Sequence, residues 1–570
     1  MDQENYWKRR APRTTRRRFL AGSAAATAFA ALGLAGCGDD DDDGGGTRGA
    51  SPTAKPGASP TAALKPVAGG AFKVIGGPVG GSLDPHRTNT PVEYGFIWPA
   101  AGNFLVRFGI KDGLAEADLA AALPEIPGDG TELIFKVRPD AKFQNKAPAN
   151  GRAVTAEDVK LTFERIKNPD TVSPRAGNYG NVESITAVDA TTVKFKLKVP
   201  QADLLNFMSD QYDFILPKEI SARGKDAVKT AEDVVGSGPY ELTAYEAGKG
   251  LTLKRRADGY WKKDTAWLDT LEYIHQTDTQ QQANALKAGQ VTVAGLPVDL
   301  VKGFDNDPKY QIASAAASTR EALLINHTKD RYKDVRVRQA LWRAIDRKQV
   351  YAKVFGGAGV PGGAMSPAAA AWVLPDKELA ALPGFGDRNK ELTEAKALLS
   401  AAGFPNGFED TVTTATAFSA DQLNDVLVAN LAEIGVRLKT ENVGTDFNVF
   451  LAREVSGDYA LASTLFNSGP YPDAQLMVYH HSNPAKGSRN HAKTGTPELD
   501  AKLEKQSQIY DAKQRQALVF EIQRDIANNP GPAWVGSRIG FTVAVAALQN
   551  FLATPYTTAW KTGETYWLKS

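Results

Sequence analysis

Residues 320–354 read REALLINHTKDRYKDVRVRQALWRAIDRKQVYAKV, and this stretch decides the fold. Its segment 322–326 is a short apolar run of the length expected for a buried strand. A polar turn follows, and Asp334 then stands where a helix N-cap is expected. Its carboxylate can accept from the free N–H groups of the first helical turn and suits the positive end of the helix dipole.

The second half of the stretch has the period of an amphipathic helix. Apolar residues recur at intervals of three and four positions from Val337 to Val354. The pattern predicts one helix that packs on the preceding strand and ends at the glycine-rich segment 356–363. The opposite face, expected to meet solvent, carries three arginines: Arg336, Arg343 and Arg347.

Other segments have equally clear local patterns. Residues 131–138 and 192–197 alternate like half-buried strands. Thr155, with Asp158 three positions later, predicts a capped helix start. Towards the C-terminus, helices are expected over 394–403, 424–434 and two segments between 497 and 526, with a strand over 436–439. Alternating strands and helices favour an α/β fold with a mixed sheet.

The run from Asn326 to Val350 resembles the strongest sequence signature of the family 5 extracellular solute-binding proteins, which serve ABC importers for dipeptides, oligopeptides and nickel. Further segments resemble the family in the same order along the chain, from about Gly69 to the C-terminus. They are SLDPH (82–86), the block 131–175, VGSGPYEL (235–242), LTLKRRADGYW (251–261), ALKAGQV (285–291) and the loop 466–473. One departure stands at Gln290 and Thr292, where the family has acids.

The resemblance implies a periplasmic-binding-protein-like fold (type II, cluster C) with two lobes, three domains and an interlobe ligand cleft. Length alone favours more than one lobe, because the roughly 500 residues of the body exceed what a single core supports. The implied boundaries are 69–105, 233–313 and 541–570 for domain I, 106–232 for domain II and 314–540 for domain III.

Residues 1–37 have the pattern of an exported lipoprotein signal. Arg16 and Arg17 lie in a twin-arginine motif, and small apolar residues lead to Cys37, the only cysteine in the chain, which predicts lipid attachment there. A transmembrane helix is the alternative, but the apolar run is shorter than the ~20 residues that spanning requires. Residues 38–68 are rich in Asp, Gly, Ser and Pro and are expected to form a disordered tether.

Charge and motifs exclude several classes of protein. The chain has 67 Lys and Arg against 65 Asp and Glu, so no basic surface for nucleic acid is expected. The sequence lacks GxSxG, HExxH and P-loop motifs, and the GxGxxG at 357–362 follows a helix and contains a proline. His480, His481 and His491 are interpreted as surface-loop residues, not metal ligands. We therefore expect no catalysis, no cofactor and no metal.

The candidate ligand contacts come mainly from the resemblance. Arg320 and Glu321 lie just before the predicted buried strand, where a charge must be paired or face a cavity; a buried ion pair is the alternative. The loops that border the cleft in the family add the remaining candidates: His86, Arg175, Tyr179, Asn467, Ser468, Tyr471 and Asp473.

The cleft loop departs from the peptide-binding pattern of the family. In peptide binders an acid in this loop pairs with the α-ammonium of the ligand, and this chain has Pro470 there. We therefore expect ordinary di- and tripeptides to bind poorly. Arg320 and Arg175 favour a ligand with an anionic or polar acceptor group, since arginine can donate two parallel hydrogen bonds to a carboxylate.

These observations predict the monomeric substrate-binding lipoprotein of an ABC importer, anchored to the outer face of the cytoplasmic membrane. It would capture a short peptide or other small polar solute between its lobes and deliver it to permease and ATPase subunits. A secreted hydrolase is one alternative, disfavoured by the missing nucleophile and base motif. A receptor that signals without transport is another, and the sequence leaves it open.

Overall fold

The structure, a computed structural model, describes residues 65–88, 92–109, 113–209, 212–416, 420–467, 469–552 and 564–569. The export motif with Arg16 and Arg17, the lipid site Cys37 and nearly all of the predicted tether lie outside these residues, as does Ser468.

Nineteen strands are present in the described part of the chain. In chain order they are β1 Ala71–Gly76, β2 Val106–Phe108, β3 Ala115–Ala117, β4 Glu132–Lys136, β5 Val182–Ala187, β6 Thr192–Leu197, β7 Tyr240–Glu246, β8 Gly250–Arg255, β9 Thr270–His275, β10 Val293–Leu296, β11 Tyr310–Ala316, β12 Arg320–Ile325, β13 Gly359–Val360, β14 Phe408–Thr414, β15 Val436–Asn442, β16 Leu461–Phe466, β17 Pro532–Val545, β18 Leu548–Gln549 and β19 Trp567–Leu568.

Sixteen α-helices are present in the described part of the chain. In chain order they are α1 Trp98–Ala101, α2 Ala156–Lys167, α3 Leu204–Met208, α4 Lys218–Ser221, α5 Thr279–Lys287, α6 Val298–Val301, α7 Asp330–Lys333, α8 Val335–Ala344, α9 Arg347–Lys353, α10 Asp376–Leu379, α11 Arg388–Ala401, α12 Ala420–Ala432, α13 Phe447–Ser456, α14 Val478–His480, α15 Pro497–Ser507 and α16 Ala512–Asn528. None of the helices in the described segments combines the length and apolarity that crossing a bilayer requires.

One 12-stranded mixed sheet runs through the molecule in the order β15-β14-β16-β12-β17-β10-β1-β9-β8-β7, with β11 and β13 also paired to β17. Strand β17 is 14 residues long. Its first half pairs with β12 and its second half with β10 and β11, so this strand joins the two parts of the sheet. A separate sheet in the order β4-β6-β5 packs against α2.

The apolar side chains form two large cores and one small one. The first core contains Phe72, Trp98 and Phe163, and the second contains Leu323, Trp342 and Trp534. The small core lies where α5 packs on β10. Two cores joined by β17 and by the connection 317–319 give the predicted α/β architecture. The domain boundaries stay a prediction; those at residues 314 and 540 fall within β11 and β17, which pair with each other there.

The predicted caps are present. The Asp158 carboxylate accepts from the backbone N–H of Thr155 at 2.8 Å, which closes the capping box of α2. The Asp334 carboxylate accepts from the N–H of Arg336 at 2.9 Å at the start of α8. The strands at 131–138 and 192–197 correspond to β4 and β6.

The single helix predicted beyond Asp334 is wrong. The chain leaves the helix at Ile345, where ψ is 116°, and Asp346 caps a second helix by accepting from the N–H of Gln349 at 3.0 Å. The expectation that Arg347 meets solvent is also wrong. Arg347 is buried, because the break turns it inward to donate to the carbonyl oxygen of Trp534 at 2.8 Å.

Candidate functional site

The predicted ligand residues of the second core gather at one edge of the sheet. Strands β14 and β16 are parallel, and β12 runs antiparallel to β16, so that Arg320 lies opposite Phe466. The carboxyl end of β16 and the amino end of β12 therefore meet at the same edge. In open α/β sheets this is the edge at which ligands bind.

A cavity of about 820 Å³ opens at this edge. That volume is typical of sites for small molecules. Its walls combine apolar side chains with a few charged ones and come from β12, β16, β17, α13, the connection 317–319 and the segment 488–491. The lining residues are Ala317, Thr319, Glu321, Phe447, Leu451, Glu454, Val455, Leu465, Phe466, Asn467, Ser488, Arg489, His491 and Arg538.

Glu321 presents a buried carboxylate to this cavity. Its Oε1 accepts from Nε of Arg538 at 2.9 Å, and its Oε2 has no hydrogen-bond partner among the described residues. Burial raises the pKa of Glu321 to about 7, and Arg538 opposes that rise without cancelling it. Glu321 is thus paired with the partly exposed Arg538, and one carboxylate oxygen remains for a further donor.

Arg320 faces the other side of the sheet, since successive side chains of a strand alternate. It is wholly buried, with its guanidinium 4.0 Å from the ring centre of Trp534 and 5.4 Å from that of Tyr479. Nη1 donates to the carbonyl oxygen of Ala364. Burial lowers its pKa to about 10, so it keeps its charge at neutral pH. The ion pair considered for Arg320 is not found, because no acidic side chain in the described segments bonds to it.

The cleft loop (residues 466–473) has some side chains at the cavity and others inside the protein. Asn467 lines the cavity, and its Oδ1 accepts from Oγ of Ser318 at 3.1 Å. Tyr471 is buried against Phe108, at 6.1 Å between ring centres, and against Phe207 at 5.5 Å. Tyr471 thus belongs to the first core although its loop leaves the second, so the loop connects the two.

Asp473 is engaged inside the protein. Its carboxylate accepts from Nε2 of Gln506 at 2.5 Å and from Oγ of Ser507 at 2.5 Å, and Arg515 lies at 3.4 Å. Arg515 also donates to Asp203 at 2.6 Å. Burial, together with the nearby Asp203 carboxylate, raises the pKa of Asp473. These contacts occupy the acid that would otherwise be the nearest substitute for the one missing at Pro470.

The remaining candidates lie in the first core, away from the cavity walls. His86 is buried; its Nε2 is 3.0 Å from the carbonyl oxygen of Phe214, and its Nδ1 is 2.6 Å from Arg165. Burial and the Arg165 charge lower its pKa well below the usual value. Tyr179 donates to Asp213, and the guanidinium of Arg175 lies 3.9 Å above the ring of Tyr212.

The interpretation of three histidines as surface residues is wrong. His480, His481 and His491 are 1%, 3% and 7% exposed. His481 bonds to Glu504 at 3.0 Å, and His491 bonds to Glu454 at 3.1 Å. The sequence around these histidines is polar and has the pattern of a loop. It therefore did not predict that α14 packs this segment against the second core. Within the described residues, no group of three or more acidic, His or Cys side chains is arranged to hold a metal ion.

Sequence reasoning missed several residues of the site, above all Arg538, Glu454 and Trp534. Arg538 and Trp534 lie in β17, more than 200 residues beyond their partners in β12. No local pattern signals pairing at that distance. Glu454 stands in α13, and only the placement of that helix over the sheet brings it to the cavity.

Comparison with known proteins identifies the fold and the family. The family model "Bacterial extracellular solute-binding proteins, family 5 Middle" matches residues 115–488, well over half of the chain. The chain belongs to this family. It is therefore a solute-binding protein, and the two-lobed α/β fold expected from the sequence is confirmed.

This family 5 protein is also similar to individual members. The glutathione-binding protein GsiB of Salmonella typhimurium is 24% identical over 495 residues, which are 82% of this chain and 92% of that protein. HbpA2 from Haemophilus parasuis superposes with a TM-score of 0.77 at 23% identity, covering 88% of this chain and 100% of that one. DppA from Helicobacter pylori, in complex with the peptide STSA, superposes with a TM-score of 0.66 at 21% identity, covering 88% and 99%.

Proposed function

We propose that this family 5 protein is the substrate-binding lipoprotein of an ABC importer. It captures a peptide-like or other small polar solute between its lobes and delivers it to membrane permease and ATPase subunits. The observation that carries the proposal is the cavity of about 820 Å³ beside the connection 317–319 and the middle of β17. A solute in this cavity touches both chain segments that join the lobes, so binding can be coupled to lobe closure.

The lining of the cavity favours a solute with both apolar and polar parts. Phe447, Leu451 and Leu465 offer apolar surface. Glu321 offers a free carboxylate oxygen, and Asn467 and Arg489 offer amide and guanidinium groups at the rim. These groups bind by hydrogen bonds and contact, and the family is one of solute binders, so we propose that the protein performs no covalent chemistry.

The bound solute can be identified directly. Protein purified from its own cells should carry a small molecule that a native mass spectrum detects as an added mass. Cells that lack the protein should lose uptake of that molecule. A spectrum free of any added mass, together with unchanged uptake of every solute tested, would argue against an importer.

Anchoring and export form a second part of the proposal. We propose that Cys37 carries the lipid that holds the protein at the outer face of the membrane, where it acts as a monomer. Replacing Cys37 with Ser should release the protein into the soluble fraction. Replacing Arg16 and Arg17 with Lys should block export, whereas the same change at Arg9 and Arg10, outside the motif, should not. Membrane pelleting of the Cys37→Ser variant in high salt would contradict the anchor.

A further inference from the structure

Arg320 differs from every other buried arginine in the described segments. Six arginines in the described part of the chain are buried. In five of them each guanidinium nitrogen has a carbonyl, amide or carboxylate acceptor: Arg165, Arg256, Arg338, Arg347 and Arg515. In Arg320, Nε and Nη2 have no acceptor among the residues that the structure describes.

These two nitrogens form one edge of the planar guanidinium. Nη1 is occupied by the carbonyl oxygen of Ala364, so Nε and Nη2 are left as parallel donors on the side-on edge. Parallel N–H groups with this spacing match the two oxygens of a carboxylate. A buried donor without an acceptor is costly, and a buried charge without a counterion is more so.

Three further unsatisfied polar atoms lie on the same face of the sheet. Ala322 pairs with Thr464 on one side and with Trp534 on the other, so both of these side chains share the face of Arg320. Among the described residues, neither Oγ1 of Thr464 nor Nε1 of Trp534 has a hydrogen-bond partner. The same holds for Nε2 of His480, whose ring centre is 6.2 Å from that of Trp534. A hydroxyl and an indole N–H without partners among the described residues therefore lie on the same face of the sheet as the guanidinium.

No described acidic side chain bonds to this cluster. Glu321 points to the opposite face and is held by Arg538. Of the other titratable groups at the cluster, Tyr479 is a phenol, and burial, with the Arg320 charge, lowers the pKa of His480 to about 3, so that its ring is neutral. The cluster therefore carries one positive charge and several hydrogen-bond donors, and the described part of the chain supplies no anion to it.

We propose that this cluster is a buried binding site for one small monovalent anion, held by Nε and Nη2 of Arg320 with Trp534 and Thr464 beside it. The fitting chemistry is a carboxylate or an inorganic anion of similar size. Two sources can supply it: the carboxylate of the transported solute, which rests on the proposed function, or a free anion bound as part of the structure, which does not.

Formate is the probe for the test, because it is a minimal carboxylate. The full chain is held in a buffer whose only other anion is a large sulfonate, and the melting temperature is followed as formate is added at constant ionic strength. A ligand that binds only the folded state raises the melting temperature with its concentration. We expect a saturable rise in the wild type and none in Arg320→Met.

Matched variants separate the site from general effects. Arg347→Met removes an equally buried guanidinium whose donors are all satisfied, so it should lower the melting temperature and keep the formate response. Trp534→Phe keeps an aromatic ring beside Arg320 but removes the indole N–H together with the five-membered ring that carries it, and it should weaken formate binding several-fold. If Arg320→Met does not fold, the formate response of Trp534→Phe still tests the site. An equal formate response in wild type, Arg320→Met and Trp534→Phe would contradict the proposed anion site. So would the absence of any formate response in wild-type protein from which the solute has been removed.

The two sources are separated by the protein's own solute. If the solute's carboxylate fills the site, the formate response is absent in protein as purified and appears after solute is removed by unfolding and refolding. If a free anion fills it, the response is the same before and after. A protein that carries no solute, supports no uptake of any solute tested and still responds to formate would argue against the importer and leave the anion site standing.

Discussion

Arg320 and Glu321 are neighbours in sequence, yet the alternation of β12 sends their side chains to opposite faces of the sheet. The sequence was sufficient to select both as charges in need of partners. It could not supply the partners, because Arg538, Trp534 and Ala364 reach them from distant segments. The same applies to Asp473: its place in the cleft loop was predicted, whereas its bonds to Gln506 and Ser507 depend on how α15 packs.

Glu321 should make stability depend on pH. Its pKa is raised from 4.5 to about 7 by burial, so between these values the folded chain holds a proton that the unfolded chain has released. Its contribution is therefore fully present below pH 4.5 and is lost as the pH rises through about 7. Between pH 5 and 8, the free energy of unfolding of the wild type should fall by about 2 kcal/mol relative to Glu321→Gln.

Urea denaturation at several pH values measures this difference. Glu409→Gln, which removes an exposed carboxyl from β14, serves as the control and should follow the wild type across the range. Parallel curves for wild type and Glu321→Gln would show that Glu321 does not titrate in this window.

Arg515 should be a strong determinant of stability. It is 3% exposed and donates to Asp203 at 2.6 Å, with Asp473 at 3.4 Å. Arg515→Met leaves two buried carboxylates without their cation, and removing one partner of a buried pair costs about 3–5 kcal/mol. Denaturant unfolding should show this loss. Arg336→Met, at an exposed pair with Asp334, should change stability little; an equal effect of both variants would contradict the argument.

At the scale of elements, periodicity predicted where strands and helices lie, and caps predicted where several begin. The capping box of α2 and the cap of α8 need only residues within three positions of each other, so local sequence contains them. The break at Ile345 was missed because the apolar period continues through it. It depends on Asn430 of α12, whose Oδ1 accepts from the N–H of Asp346 at 2.8 Å.

Gly536 is the residue in β17 that a side chain should disturb most. Its φ is +149°, at the irregularity where β17 shifts register against β12. A Cβ there would stand 2.5 Å from the carbonyl oxygen of Val360 and 2.7 Å from Oη of Tyr351. Gly536→Ala should therefore lower the free energy of unfolding by about 1–3 kcal/mol.

Gly540 in the same strand provides the control. A Cβ at Gly540 meets no atom closer than 3.8 Å, and its φ is not positive. Gly540→Ala should leave stability unchanged or slightly increased, since alanine lowers the entropy of the unfolded chain. Calorimetric unfolding of both variants measures this difference in stability. Equal stability of the two variants would show that the backbone of β17 accommodates a side chain at Gly536.

At the scale of the whole molecule, the resemblance of ordered motifs predicted the two-lobed fold, which composition alone could not. Composition indicated a large chain with more than one core. The role of β17 could not be predicted, because a strand that pairs with β12 and then with β10 and β11 is defined by its partners, and those lie more than 200 residues earlier. The domain boundaries remain predictions for the same reason.

Two connections between the cores, residues 317–319 and the middle of β17, are short, which favours rotation of one lobe against the other. Both segments pass beside the cavity from one core to the other, and a few residues are enough to absorb a hinge rotation. Solute that contacts both lobes binds the closed arrangement better and shifts the population towards it.

We therefore expect small-angle scattering to give a smaller radius of gyration for protein with its co-purified solute than for protein stripped of it. Glu321→Gln and Asn467→Ala change side chains at the cavity and should reduce this difference at a fixed solute concentration, whereas Glu409→Gln, far along β14, should keep it. An unchanged radius at saturating solute would mean that the lobes do not close on binding.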